Sequence, residues 1–161
     1  MTILEMALSL EHDLETYYKK QADLFKDHSL NVIFTLLAKE EANHAKLLHS
    51  KANNLSYSLE ESTILSEAQK VYKNLSDFKS DIADVPSQLE SYREALKMEE
   101  KSYDFYKKLA AEASDEDSKE MFEYLLGQED NHRICLEELI KLVTRPEEWV
   151  ESAEFGVRED Y

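Results

Sequence analysis

Apolar residues recur at steps of three and four along four long stretches of the chain, the spacing of amphipathic helices. Each stripe is interrupted by charged residues on its apolar face. In the first, Ile3, Ala7, Leu10, Leu14, Tyr17 and Leu24 recur with helical period and Glu11 sits among them. Thr2 followed by Glu5 reads as a capping-box start, so the pattern predicts a helix over about residues 3–26. The polar break Asp27-His28-Ser29 offers the N-cap of a second helix, about 30–53, whose face steps through Ile33, Leu37, Glu41, His44 and Leu48.

Residues 54–86 break the pattern with Asn53-Asn54, scattered serines and Pro86, although Leu59 to Phe78 reads as a weaker helix. A connection of this length is too long for a hairpin and long enough to run the length of a bundle. Ser87 with Glu90 reads as a second capping box. Tyr92, Leu96, Glu99, Tyr103, Tyr106 and Leu109 then mark a third helix to about Ala113. Ser114-Asp115 opens a fourth, along which Phe122, Leu125, Glu129, His132, Leu136, Leu139 and Val143 alternate steps of three and four. Gly127 inside it is a small local cost in helicity. The helix is expected to end before Pro146, because the residue ahead of a proline resists the α region. The tail, 145–161, reads as a short helix beginning at the proline. Its Trp149, Val150 and Phe155 need cover from one end of the bundle or from a second subunit, and a homodimer is the expected assembly.

The two halves of the chain are copies of one another. A shift of 88 residues lays Ala7-Leu8-Ser9-Leu10-Glu11 on Ala95-Leu96-Lys97-Met98-Glu99 and brings Glu41 and His44 onto Glu129 and His132. The expected architecture is therefore all-α: one domain over 1–161, an up-down four-helix bundle of two helical hairpins, 3–53 and 87–144, joined by one long crossover, 54–86.

Composition narrows the function. With 35 acidic against 19 basic side chains the formal net charge is −16, which repels phosphate backbones and anionic lipid, so nucleic acid and membrane are excluded as partners. The single cysteine, Cys135, rules out an intrachain disulfide and any Cys-x-x-Cys metal knuckle. No run reaches the length of a membrane span, no signal sequence opens the chain, and a reducing cytoplasm is the expected location.

Four glutamates on apolar stripes demand a partner, because an ionised carboxylate in an apolar seam is costly unless paired. The facing positions offer no lysine or arginine. Two divalent cations would match the four negative charges of Glu11, Glu41, Glu99 and Glu129. In each Glu-x-x-His pair, Glu41 with His44 and Glu129 with His132, both side chains reach one point in the bundle interior. Oxygen-rich donors with a minority of imidazole suit iron or manganese, and the lack of thiolate argues against structural zinc. His12, His28 and His49 fall off the stripes. Glu15 reads as a polar edge residue, and Glu40, matched by Gln128, is rotated off the seam and left out of the site. Tyr18, Tyr106 and Tyr103 can either bond a ligating carboxylate or simply pack in the core.

These motifs, Glu11 with Tyr18, Glu41-Ala-Asn-His44, Glu99 with Tyr106, and Glu129-Asp-Asn-His132, resemble the rubrerythrin branch of the ferritin-like superfamily from Ile3 to Val143. The resemblance implies two iron ions, with manganese as the alternative. Glu41 and Glu129 would bridge them, Glu11 and His44 would bind one terminally, and Glu99 and His132 the other. It implies an oxidoreductase that reduces hydrogen peroxide or dioxygen and is restored by an external electron-donor protein. Full-length members add a four-cysteine rubredoxin-like module, which Cys135 alone cannot make. They also tend to carry an extra carboxylate where this chain has Ser102. The other readings are an iron-sequestering ferroxidase and a metal-free helical bundle for protein contacts.

Overall fold

A computed structural model describes residues 2–27, 30–73 and 85–155. Among them are five helices and no strand: α1 (Ile3–Leu24), α2 (Asn31–Ala52), α3 (Ile64–Lys73), α4 (Val85–Glu112) and α5 (Glu116–Phe155). The start of α1 is fixed as its sequence demands, with the Glu5 N–H donating to Thr2 Oγ1 at 3.1 Å. At α5, Asp115 Oδ2 accepts from the Ser118 N–H at 2.9 Å. The cap expected from Asp27-His28-Ser29 is not formed by Asp27. The residue ahead of α2 is buried Leu30, with no side-chain cap bond, and His28 and Ser29 lie outside the described residues. Instead Asn31 Nδ2 donates to the Ala22 carbonyl at 3.0 Å and ties the start of α2 to the end of α1.

The exit from α2 is built without glycine. Asn54 takes a φ of 56°, a left-handed conformation that asparagine tolerates. Its N–H donates to the Lys51 carbonyl, and that of Leu55 to the Ser50 carbonyl at 2.8 Å, so two carbonyls orphaned by the helix end are satisfied.

Three helix boundaries differ from the sequence reading. The crossover helix starts at Ile64 and not at Leu59, because Ser62 Oγ takes the Ile64 N–H and competes with helical pairing there; residues 74–84 lie outside the described residues. Helix α4 starts at Val85, so Ser87 is inside it and is not its cap. Pro86 then falls in the first turn, where a missing N–H costs nothing. Helix α5 runs through Pro146 to Phe155 as one element, so there is no separate C-terminal helix.

Helices α1 and α2 pack as one hairpin and α4 and α5 as the other, with α3 laid across α5 and α2. Between the hairpins, Tyr17 donates to the Ser91 carbonyl at 2.9 Å and Ser91 to Gln21 at 2.7 Å. Two apolar clusters fill the interior. One gathers Leu14, Ile33, Phe34, Leu37, Tyr92, Leu136 and Leu139; the other Ala7, Leu48, Leu109, Met121, Phe122 and Leu125. Along α1, α2, α4 and α5 the charged residues of the stripe lie between these two clusters. No helix among the described residues is long and apolar enough to cross a membrane.

Gly127 is exposed within α5, and a Cβ added there meets nothing within 4 Å. Gly127→Ala is therefore expected to stabilise the protein by about 0.5–1 kcal/mol, by reducing the freedom of the unfolded chain. The midpoint of urea unfolding checks this.

Candidate metal centre

The six stripe residues converge. Glu11, Glu41, Glu99, Glu129 and His132 are fully buried and His44 is 3 % exposed. They form two overlapping groups, Glu11, Glu41, His44 and Glu129, and Glu41, Glu99, Glu129 and His132. In each group the candidate ligand atoms lie within 4.8 Å of one another, a spacing that could hold a metal ion. Glu41 and Glu129 belong to both. His44 Nδ1 lies 3.2 Å from Glu129, 3.3 Å from Glu11 and 3.4 Å from Glu41. His132 Nδ1 mirrors it, 2.8 Å from Glu41, 3.3 Å from Glu99 and 3.8 Å from Glu129. The rings stack at 5.5 Å between centroids, tilted by 15°.

A layer of hydrogen bonds crosses between the hairpins around this core. Tyr18 of α1 donates to Glu99 of α4 at 2.5 Å, and Tyr106 of α4 donates to Glu11 of α1 at 2.7 Å. Each tyrosine thus serves the glutamate of the opposite hairpin, as two-fold pseudo-symmetry requires.

A family model for rubrerythrin matches residues 2–140, most of the chain and both copies of the repeat. The chain belongs to the rubrerythrin family. No curated protein and no solved structure matches it. The ferritin-like bundle expected of a rubrerythrin is the fold observed.

Whether these residues suit the metal pair that rubrerythrin membership suggests is answered by their unmet bonds. Both oxygens of Glu129, Glu41 Oε2 and Glu99 Oε2 are buried with no hydrogen-bond partner. Buried polar atoms are nearly always bonded, so carboxylate oxygens left bare in one spot are acceptors that a cation could satisfy. The shared residues, Glu41 and Glu129, account for most of them. The donor set fits two oxygen-loving divalent ions.

Without metal, protons do the same work. Burial, followed by the charges of Glu11 and Glu99, pushes Glu41 well above the usual carboxylate range. Burial and the charges of Glu11, Glu41 and Glu99 do the same to Glu129. Burial acts on Glu11 in the same sense, but a hydrogen bond with Glu41 and the His44 charge override it and hold Glu11 down at about 2. Glu99 is likewise lowered against its burial, chiefly by the His132 charge. Burial alone would keep both histidines neutral; Glu11 outweighs it at His44, and Glu99 with Glu41 at His132, so both are raised well above their ordinary value. The metal-free cluster therefore holds protons on Glu41, Glu129 and the two imidazoles more firmly than free groups do, and on Glu11 and Glu99 less firmly.

The outer nitrogens of the histidines show what the sequence reading missed. Glu40 Oε1 lies 2.7 Å from His132 Nε2, and Gln128 Oε1 lies 3.5 Å from His44 Nε2. Placing Glu40 and Gln128 off the seam was correct for the inner face and wrong for the site, because each reaches around to the histidine of the other hairpin. The signal was present: both precede a seam glutamate by one residue, and the repeat pairs them. Elsewhere the outcome follows the pattern. His12 and His49 are exposed, and Glu15 pairs with Lys19 on the surface of α1. Tyr103 lies under the Arg133 guanidinium, 5.5 Å from its ring, and makes no bond to the cluster. Cys135 is buried, its thiol pushed up to about 12 by burial, and acts as a small apolar residue.

A cavity of about 190 Å³ opens beside His44 and Gln128, walled by Glu40, Asn43, Glu60 and Tyr124. Tyr124 donates to the Glu60 carbonyl and pins the crossover there. It is the size of a few small molecules and is lined largely by polar groups.

Proposed function

We propose that the chain is a di-iron oxidoreductase of the rubrerythrin type that reduces hydrogen peroxide, with dioxygen as the slower oxidant. The observation that carries this is the pair of four-ligand groups sharing Glu41 and Glu129, with the bare oxygens concentrated on the shared residues. In this reading Glu11, Glu41, His44 and Glu129 would hold one ion and Glu41, Glu99, Glu129 and His132 the other, with Glu41 and Glu129 common to both groups. Two ferrous ions so held supply one electron each, the two that convert peroxide, with two protons, to two molecules of water.

The remaining parts belong to the chain. Tyr18 and Tyr106 are kept protonated by burial and by the charges of Glu99 and Glu11, so their hydroxyls stay donors and fix those carboxylates in one rotamer. The apolar clusters on either side exclude bulk water and strengthen every charge interaction within. The polar cavity beside His44 is large enough to admit a diatomic or peroxide. Electrons return from a separate donor protein, and a net charge of −16 favours one with a basic contact patch.

The test is to mix the anaerobic, ferrous-loaded protein with equal concentrations of peroxide or dioxygen and follow the absorbance of the ferric product. Oxidation by peroxide is expected to be faster by more than about tenfold, a barrier difference above ~1.4 kcal/mol. Equal rates would remove the peroxidase reading, and uptake well beyond two irons per chain would favour sequestration.

A further inference from the structure

The two halves of the centre are not equivalent, and the difference lies behind the histidines. His132 has a carboxylate on its outer nitrogen, at 2.7 Å, whereas His44 has a neutral amide at 3.5 Å. The carboxylate is itself clamped. Ser62 Oγ lies 2.8 and 2.7 Å from the two oxygens of Glu40 and accepts from the Ile64 N–H at 3.1 Å, so the turn leading into α3 fixes the Glu40 rotamer. Among the described residues no hydroxyl clamps Gln128 in this way, although both side chains border the cavity.

From this juxtaposition we propose that Glu40, held by Ser62, is a positioning residue that makes the His132 half of the centre the tighter metal position, filled first, and leaves the His44 half the weaker one. The inference rests on the dinuclear reading above. Its physical basis is local. A hydrogen bond from the outer N–H to a carboxylate orients the ring, fixes the tautomer that turns Nδ1 toward the cluster, and raises the donor strength of that nitrogen toward a cation. A carboxylate also adds a negative charge near one position and not the other. An amide at the limit of hydrogen-bond distance does little of either. Outer partners of this kind change metal affinity by about 10- to 100-fold. The four glutamates are matched in pairs by the repeat, Glu11 with Glu99 and Glu41 with Glu129, and bring the same formal charge to both sides. Among the described residues bonded to the cluster, Glu40 and Gln128 are where the two copies differ in charge.

The test uses the full chain labelled with ¹⁵N-histidine and one equivalent of Zn²⁺, a diamagnetic probe that accepts carboxylate and imidazole donors. The ring nitrogens of His132 are expected to shift to their metal-bound positions in about ten molecules for each one in which those of His44 shift. Glu40→Gln should bring the two histidines to comparable occupancy. The exchanged variant, Glu40→Gln with Gln128→Glu, should restore a preference and invert it, so that His44 shifts first. That inversion is a readout that mere loss of folding cannot give. Equal occupancy in the unaltered protein, or an unchanged order in the exchanged variant, would overturn the proposal. If neither histidine shifts at two equivalents of Zn²⁺, it is the dinuclear reading itself that fails.

Discussion

Glu129→Met is expected to make the metal-free protein more stable, by about 1–3 kcal/mol, while removing its ability to hold two metal ions. Methionine matches the unbranched length of glutamate and carries no polar oxygen. Glu129 is fully buried, with His44 Nδ1 at 3.2 Å and His132 Nδ1 at 3.8 Å as the imidazole nitrogens nearest its oxygens, so in the metal-free fold its desolvation is set against contacts that are long or shared with the other glutamates. In the dinuclear reading the same oxygens bridge both ions, and nothing can replace them. Urea unfolding in the presence of a chelator checks the first half and metal analysis the second. A destabilised metal-free Glu129→Met protein would mean that the carboxyl group has a structural role of its own.

The pH dependence of stability should change sign on metal loading. In the metal-free fold, Glu41, Glu129, His44 and His132 all titrate above their ordinary values, 4.5 for the carboxyls and 6.5 for the imidazoles. The folded state therefore holds protons that the unfolded chain has released. Stability from the two carboxyls falls as pH rises above 4.5, and that from the two histidines falls as pH rises above 6.5, by about 1.4 kcal/mol per pH unit for each proton. Glu11 and Glu99 act in the opposite sense: their contribution is complete above 4.5 and is lost as pH falls through their lowered values, about 2 for Glu11. The metal-free protein is thus expected to be most stable near pH 4.5 and to lose several degrees of melting temperature between pH 5 and 8. Bound divalent ions displace those protons, so the loaded protein should gain stability over the same range. Parallel curves with and without metal would mean that the ions bind elsewhere.

Much of this was legible in the sequence because helical period is a strong signal and the repeat doubles it. Glu11 and Glu99 stand out because a charge on an apolar stripe needs a reason, and Glu41 with His44 because three residues of helix return both to one face. Tyr18 and Tyr106 could be placed two turns from their own hairpin's glutamates, but not across the bundle on the other's. Which side chain meets which depends on how the hairpins dock, and no single helix encodes that. Glu40 was missed for the same reason. It is off the seam of α2 and reaches His132 only because α5 packs alongside and Ser62 holds it there. Helix ends were the least legible part: Pro146 is a local signal to stop, yet the helix runs through it to Phe155.

The central claim is that six side chains hold two metal ions, and metal stoichiometry per chain tests it most directly. The protein is incubated anaerobically with ferrous iron, desalted and analysed beside a Glu41→Ala, Glu129→Ala double variant whose helicity is checked by circular dichroism. About two irons in the unaltered protein and none in a folded double variant is the predicted result. Two irons retained by the variant, or an unaltered protein that emerges empty, would contradict the account.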